Sequence, residues 1–142
     1  MLDTMISHVA TIAGIELNAS REALGIIMNA AERQGAPFAD AMFEKVPGTR
    51  TLAATMGAEV GAATGEIARL IERTPGGRRF VAATMISDLH ARGLGHQAIG
   101  ELLPAISSFA EEYVGLTGFG HLGDLLGTEG VTEEMLAHTK AA

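Results

Sequence analysis

The run Thr74-Pro75-Gly76-Gly77-Arg78-Arg79 sets a glycine pair and two arginines directly before an apolar helical pattern. Backbone amides at a helix N-terminus, joined by guanidinium groups, can hold an anion, so Gly76, Gly77, Arg78 and Arg79 form a candidate anion site. The G-x-x-x-x-G-K-S/T order of a P-loop is absent. Five of the eight arginines (Arg69, Arg73, Arg78, Arg79 and Arg92) fall between residues 69 and 92, opposed there only by Glu72 and Asp88. The chain after Gly95 is acidic instead. The plainer reading is a solvated turn whose positive charge complements that acidic end, within one chain or between chains.

Asp88, His90 and His96 supply a carboxylate and two imidazoles, the donor types of a transition-metal site. Their spacing follows no established metal motif, and Gly93 and Gly95 intervene. His8, His121 and His138 add no pattern. Nucleophilic catalysis finds no support: Ser7, Ser20, Ser87, Ser107 and Ser108 lie in helical patterns, none in a G-x-S-x-G elbow. Glu111 and Glu112 are adjacent, so on a helix their carboxylates diverge. With no cysteine there are no disulfides, thiolate metal ligands or thiol chemistry. The chain reads as more a binding protein than an enzyme, and no cofactor is implied.

The elements that would position these residues are helical almost throughout. Leu2, Met5, Ile6, Val9, Ile12 and Ala13 keep i, i+3, i+4 spacing, and Gly14 ends that helix. Asn18 is a candidate N-cap for a second, with Leu24, Ile27, Met28 and Ala31 as its stripe and Gly35 beyond its end. Pro37 suits the first position of a third helix carrying Phe38, Ala41 and Met42. Val46-Pro47-Gly48 is a turn, with Thr49 as the next cap. The Thr74–Gly77 stretch reads as a loop. A helix from about Arg79 to Arg92 follows, burying Val81, Ala82, Met85, Ile86 and Leu89. The strongest stripe is Ile99, Leu102, Leu103, Ile106, Phe109, Ala110 and Tyr113, and Pro104 inside it predicts a kink or two abutting helices. Short glycine-bounded pieces come next, and Thr132 with Glu133 and Glu134 opens a last short helix. No segment alternates with period two.

Between the two turns stands a ladder, Gly57, Gly61 and Gly65, with Ala53 upstream. Glycines four apart leave one helix face bare, at about 1 kcal/mol each against alanine. Tight packing against another helix, inside the chain or between subunits, would offset that cost. A break near residues 61–65 would remove it. The Gly57-x-x-x-Gly61 spacing is that of membrane helix pairs, but Glu59, Glu66 and Arg69 stand beside it.

These readings converge on a single all-α domain over residues 1–142, of about six to eight helices, with a proline-interrupted helix near Pro104. Hydrophobic residues make up 47% of the chain and aromatics only 4%, so the core is aliphatic and methionine-rich. A formal net charge of −7 argues against nucleic acid as a partner. No stretch approaches the roughly 18 apolar residues of a membrane span. A cytoplasmic protein is the default.

Two blocks carry a family resemblance. Val46-Pro-Gly-Thr-Arg-Thr-Leu52 is similar to the "PG-x-x-x-L" turn of the bacterial VcgC/VcgE proteins. Leu94-Gly-His-Gln-Ala-Ile-Gly-Glu-Leu-Leu-Pro104, through Phe109 to Gly115, resembles that family's second block, and YidB-like proteins share the glycine-rich helical style. The resemblance spans most of residues 14–115. It implies an all-α fold, no established activity and no catalytic residues to carry over.

The function this supports is non-catalytic: an interaction module, self-associating or binding a protein partner through an apolar helix face, either the glycine strip or the Pro104 helix. The alternative is a binder of lipid or a small apolar ligand between kinked helices.

Overall fold

Burial of a single helix on nearly every side organises the molecule. A computed structural model describes residues 1–117; the pieces predicted around 119, 121–127 and 132–134 lie outside them. Seven helices are present and no strand among the described residues: α1 (Leu2–Ala13), α2 (Leu17–Arg33), α3 (Pro37–Lys45), α4 (Thr49–Glu59), α5 (Glu66–Glu72), α6 (Pro75–Ala91) and α7 (His96–Val114). In α2 every residue from 23 to 31 is buried, because α1, α3, α4 and α6 all pack on it. The predicted stripe of four residues is therefore too narrow, since a helix at the centre of a bundle is covered all round.

Around α2 the core follows the period of each helix. Met5, Ile6 and Val9 of α1, Phe38 and Met42 of α3, Leu52 and Met56 of α4, and Val81, Met85 and Leu89 of α6 point inward. So does the α7 stripe from Ile99 to Ala110. Ile12 and Tyr113 are the exceptions. Ile12 faces solvent, and the Tyr113 ring lies at the rim, stacked on Phe109 at 4.8 Å. Pro104 is on the exposed face of α7, where its ring meets water, and the helix runs on through it.

Helix ends shift by small amounts from the sequence reading. α2 starts at Leu17 after Glu16, so Asn18 is inside the helix and caps nothing. Gly48 rather than Thr49 precedes α4, and Thr49 is buried in its first turn. The larger correction concerns Thr74–Gly77. Thr74 is an N-cap, Pro75 takes the first helical position and both glycines lie in the first turn of α6. The glycine pair masked a threonine–proline helix start.

The glycine ladder divides. Gly57 lies within α4, and a Cβ there would stand 2.9 Å from Asn29 Cγ on α2. Gly25 makes the reciprocal contact: its Cβ would be 2.8 Å from Met56 Cβ and 3.0 Å from the Leu52 carbonyl oxygen. The close crossing of α2 and α4 thus depends on one glycine from each helix. Gly61 and Gly65 pack against nothing. They lie in the break between α4 and α5 with φ of +70° and +94°, a region glycine enters without steric cost. For these two residues the helix-packing expectation is corrected and the predicted break is what the fold contains.

Candidate interaction surface

Thr74 closes the proposed anion site. Its Oγ1 accepts the Gly77 N–H at 3.1 Å and donates to the Ile71 carbonyl at 2.7 Å. Pro75 has no N–H to offer, and the end of α5 stands over Gly77, where a Cβ would lie 2.7 Å from Glu72 Cα. Arg78 turns back: its Nε donates to the Arg73 carbonyl at 2.8 Å, while its own carbonyl accepts from Gln34 Nε2 at 2.8 Å. Only Gly76 and Arg79 remain open. Gly76, Gly77, Arg78 and Arg79 therefore form the joint between α5 and α6, and an anion finds no cradle of amides there.

The metal candidates do not converge. His90 Nδ1 is 2.9 Å from the Leu94 carbonyl, closing the turn after α6. His96 opens α7 from an exposed position. Asp88 is half-buried, and burial raises its pKa, although Arg33 and Arg92 pull the other way. Among the described residues no three His, Asp or Glu side chains are grouped to hold an ion. Arg92, read with the other arginines as part of a basic cluster, bridges Glu22 of α2 and Glu59 of α4.

Sequence spacing missed one polar pair. His8 Nε2 and Ser108 Oγ, a hundred residues apart, meet at 3.2 Å between α1 and α7. The imidazole lies 5.9 Å from the Phe109 ring and 5.8 Å from the Tyr113 ring. Ser108 lies in mid-helix, and no carboxylate bonds His8 among the described residues. The pair lacks the third group that orients a catalytic base, and it serves as a polar stitch in an aromatic contact.

The unusual surface is on α5. Ile67, Leu70 and Ile71 are spaced three and four apart and share one face. That face points to solvent, with exposures of 76%, 68% and 62%. Phe80 of α6 is 64% exposed and three residues on from Gly77, the point where α6 meets α5. The opposite face of α5 is charged and turned inward. Glu72 is 5% exposed and accepts two hydrogen bonds on Oε2 from the equally buried Arg33 of α2, one from Nε at 2.7 Å and one from Nη2. Arg69 Nη1 stands 3.7 Å from Glu72 Oε1, beyond hydrogen-bond reach.

An amphipathic helix normally buries its apolar side. Here a desolvated ion pair holds the polar side in. A buried pair is worth little against an apolar replacement, but losing one partner is costly. The arrangement sets orientation more than stability, and it leaves the apolar stripe without cover among the described residues. Beside the stripe is a cavity of about 510 Å³ lined by Gly65, Glu66, Arg69, Leu70 and Arg73. Arg69 and Arg73 stand beside Leu70 there, so the apolar stripe has a basic edge. No signal in the sequence separates this stripe from a core stripe, because period alone gives a face and not its neighbour.

Comparison with family models, curated proteins and solved structures yields no match. No helix among the described residues is long and apolar enough to cross a membrane.

Proposed function

We propose that the protein is a non-catalytic, cytoplasmic interaction module that self-associates, and that its contact face is the exposed stripe of α5 with Phe80. One observation carries the reading: three aliphatic side chains on one face of α5 stand in water while Glu72 of the same helix is buried. A contiguous exposed apolar patch rimmed by polar groups is the surface feature that marks contact sites on small domains. Of the two faces anticipated from sequence, the glycine strip is broken at Gly61 and Gly65 and the other is turned inward. Gly57 is spent on the α2–α4 crossing, and the Pro104 helix lays its stripe on α1. The resemblance to the VcgC/VcgE family belongs to the same proposal and implies an all-helical fold with no established activity.

The apolar-ligand alternative would use the cavity beside Leu70. Its volume suits a small molecule, but among the described residues one leucine beside Glu66, Arg69 and Arg73 is a poor lining for a wholly apolar one. Leu70→Asp tests the preferred reading, since Leu70 is on the surface and its replacement leaves the core intact. Sedimentation velocity at tens of micromolar should show associated wild-type protein and a monomeric variant of unchanged helicity. A variant that associates as wild type does removes the α5 face from consideration.

A further inference from the structure

We infer that the α5 face of one copy is covered by residues 118–142 of a second copy. The inference rests on the self-association reading and supplies its other half. Two α5 faces cannot meet each other well. Arg69 and Arg73 would oppose their own counterparts, with only Glu66 beside them at the cavity as a counter-charge. A partner for this face has to be apolar and acidic.

Residues 118–142 have that composition. They carry Asp124, Glu129, Glu133 and Glu134 against the single basic residue Lys140, and Leu125, Leu126, Met135 and Leu136 supply apolar side chains. Aliphatic groups from this segment would cover Ile67, Leu70, Ile71 and Phe80. A glutamate beside them would reach Arg73 and Arg69 at the cavity, where charge-assisted bonds form at a partly desolvated site. The thirteen residues 118–130 can span about 43 Å when extended, more than the roughly 35 Å width of a domain this size. If each copy lends its segment to the other, two equal contacts close a symmetric dimer and leave no unpaired face.

The absence of cysteine makes the test specific. Full-length Leu70→Cys chains are mixed with full-length Leu136→Cys chains of different tag length and oxidised gently. The expected product is the mixed disulfide, at least tenfold above that from Thr11→Cys mixed with Leu136→Cys, because Thr11 is an exposed residue of α1, whose main neighbours are α2 and α7 rather than α5. Adding Glu133→Lys and Glu134→Lys to the Leu136→Cys chain should lower the yield at least fivefold. Equal yields from the Leu70→Cys and Thr11→Cys mixtures overturn the inference. So does a Leu70→Cys/Leu136→Cys double variant that links only within single chains. If Leu70→Asp dissolves the oligomer while these disulfides show no preference, the α5 face stands as the contact and the segment falls. If Leu70→Asp has no effect, both fall.

Discussion

The α2–α4 crossing and the α5–α6 joint use the same device for opposite ends. In each, a glycine lets backbone approach closely: Gly25 and Gly57 at the crossing, Gly77 at the joint. At the crossing, the approach buries Leu52, Ala53 and Met56 against the enclosed middle of α2, residues 23–31. At the joint it brings in Glu72 and leaves Ile67, Leu70 and Ile71 outside. Close approach therefore does not say which side of a helix is buried. Where apolar surface faces apolar surface, the hydrophobic effect decides it. Where a buried arginine waits opposite, the ion pair does.

Breaking that ion pair is the sharpest way to test the difference. Arg33→Met leaves Glu72 desolvated with only Arg69, 3.7 Å away, as counter-charge, at a cost of up to about 3–5 kcal/mol. The double variant Arg33→Met with Glu72→Met should recover most of the loss, and urea unfolding of the four-protein cycle measures both. Recovery together with fast hydrogen exchange in α5 would show that the pair orients the helix. A double variant no better than the single one would assign the pair a purely stabilising role.

Gly25→Ala should have the next largest effect. Its methyl group meets Met56 and the Leu52 carbonyl, and overpacking of this kind costs about 1–3 kcal/mol. Gly61→Ala has open space around it and meets only the strain of positive φ, about 1–2 kcal/mol. Thermal melts of the pair should rank Gly25→Ala below Gly61→Ala, and the Gly61 variant should keep the wild-type oligomeric state. The reverse order would return Gly61 to a packing role.

Asp88 offers the smallest change and touches only the charged region. Burial raises its pKa in the fold, so the folded state holds the proton more tightly than the unfolded state. Its contribution to stability is fully present below the unfolded value of 3.8 and is lost as pH rises through the higher folded value. At pH 7 the carboxylate opposes folding. Asp88→Asn should therefore raise the melting temperature slightly at pH 7 and flatten the change between pH 4 and pH 7. A lower melting temperature at pH 7 would mean that Arg33 and Arg92 outweigh burial.

Much of the fold was legible locally. Helix starts at Pro37, ends at Gly14, Gly35 and Gly115, and the break at residues 61–65 all follow from φ preferences that proline and glycine carry with them. The site was less legible. Gly76, Gly77, Arg78 and Arg79 resemble an anion loop in sequence, yet Thr74 takes the amide and α5 takes the space. Asp88, His90 and His96 are close in sequence, but His90 is engaged with the Leu94 carbonyl in the turn after α6, and His96 is exposed at the start of α7. Gly25 escaped notice because a lone glycine in a helix has no pattern until its neighbour is known.

What the sequence determined by itself is the helical class, most helix ends and the lack of a recognisable catalytic motif, since these rest on backbone preferences and residue chemistry within a few positions. Which face of each helix turns inward was decided only in three dimensions. A stripe at Ile67, Leu70 and Ile71 has the same period whether it meets a core or water. Arg33, 39 residues from Glu72 along the chain, settled the matter by drawing the polar side of α5 into the protein.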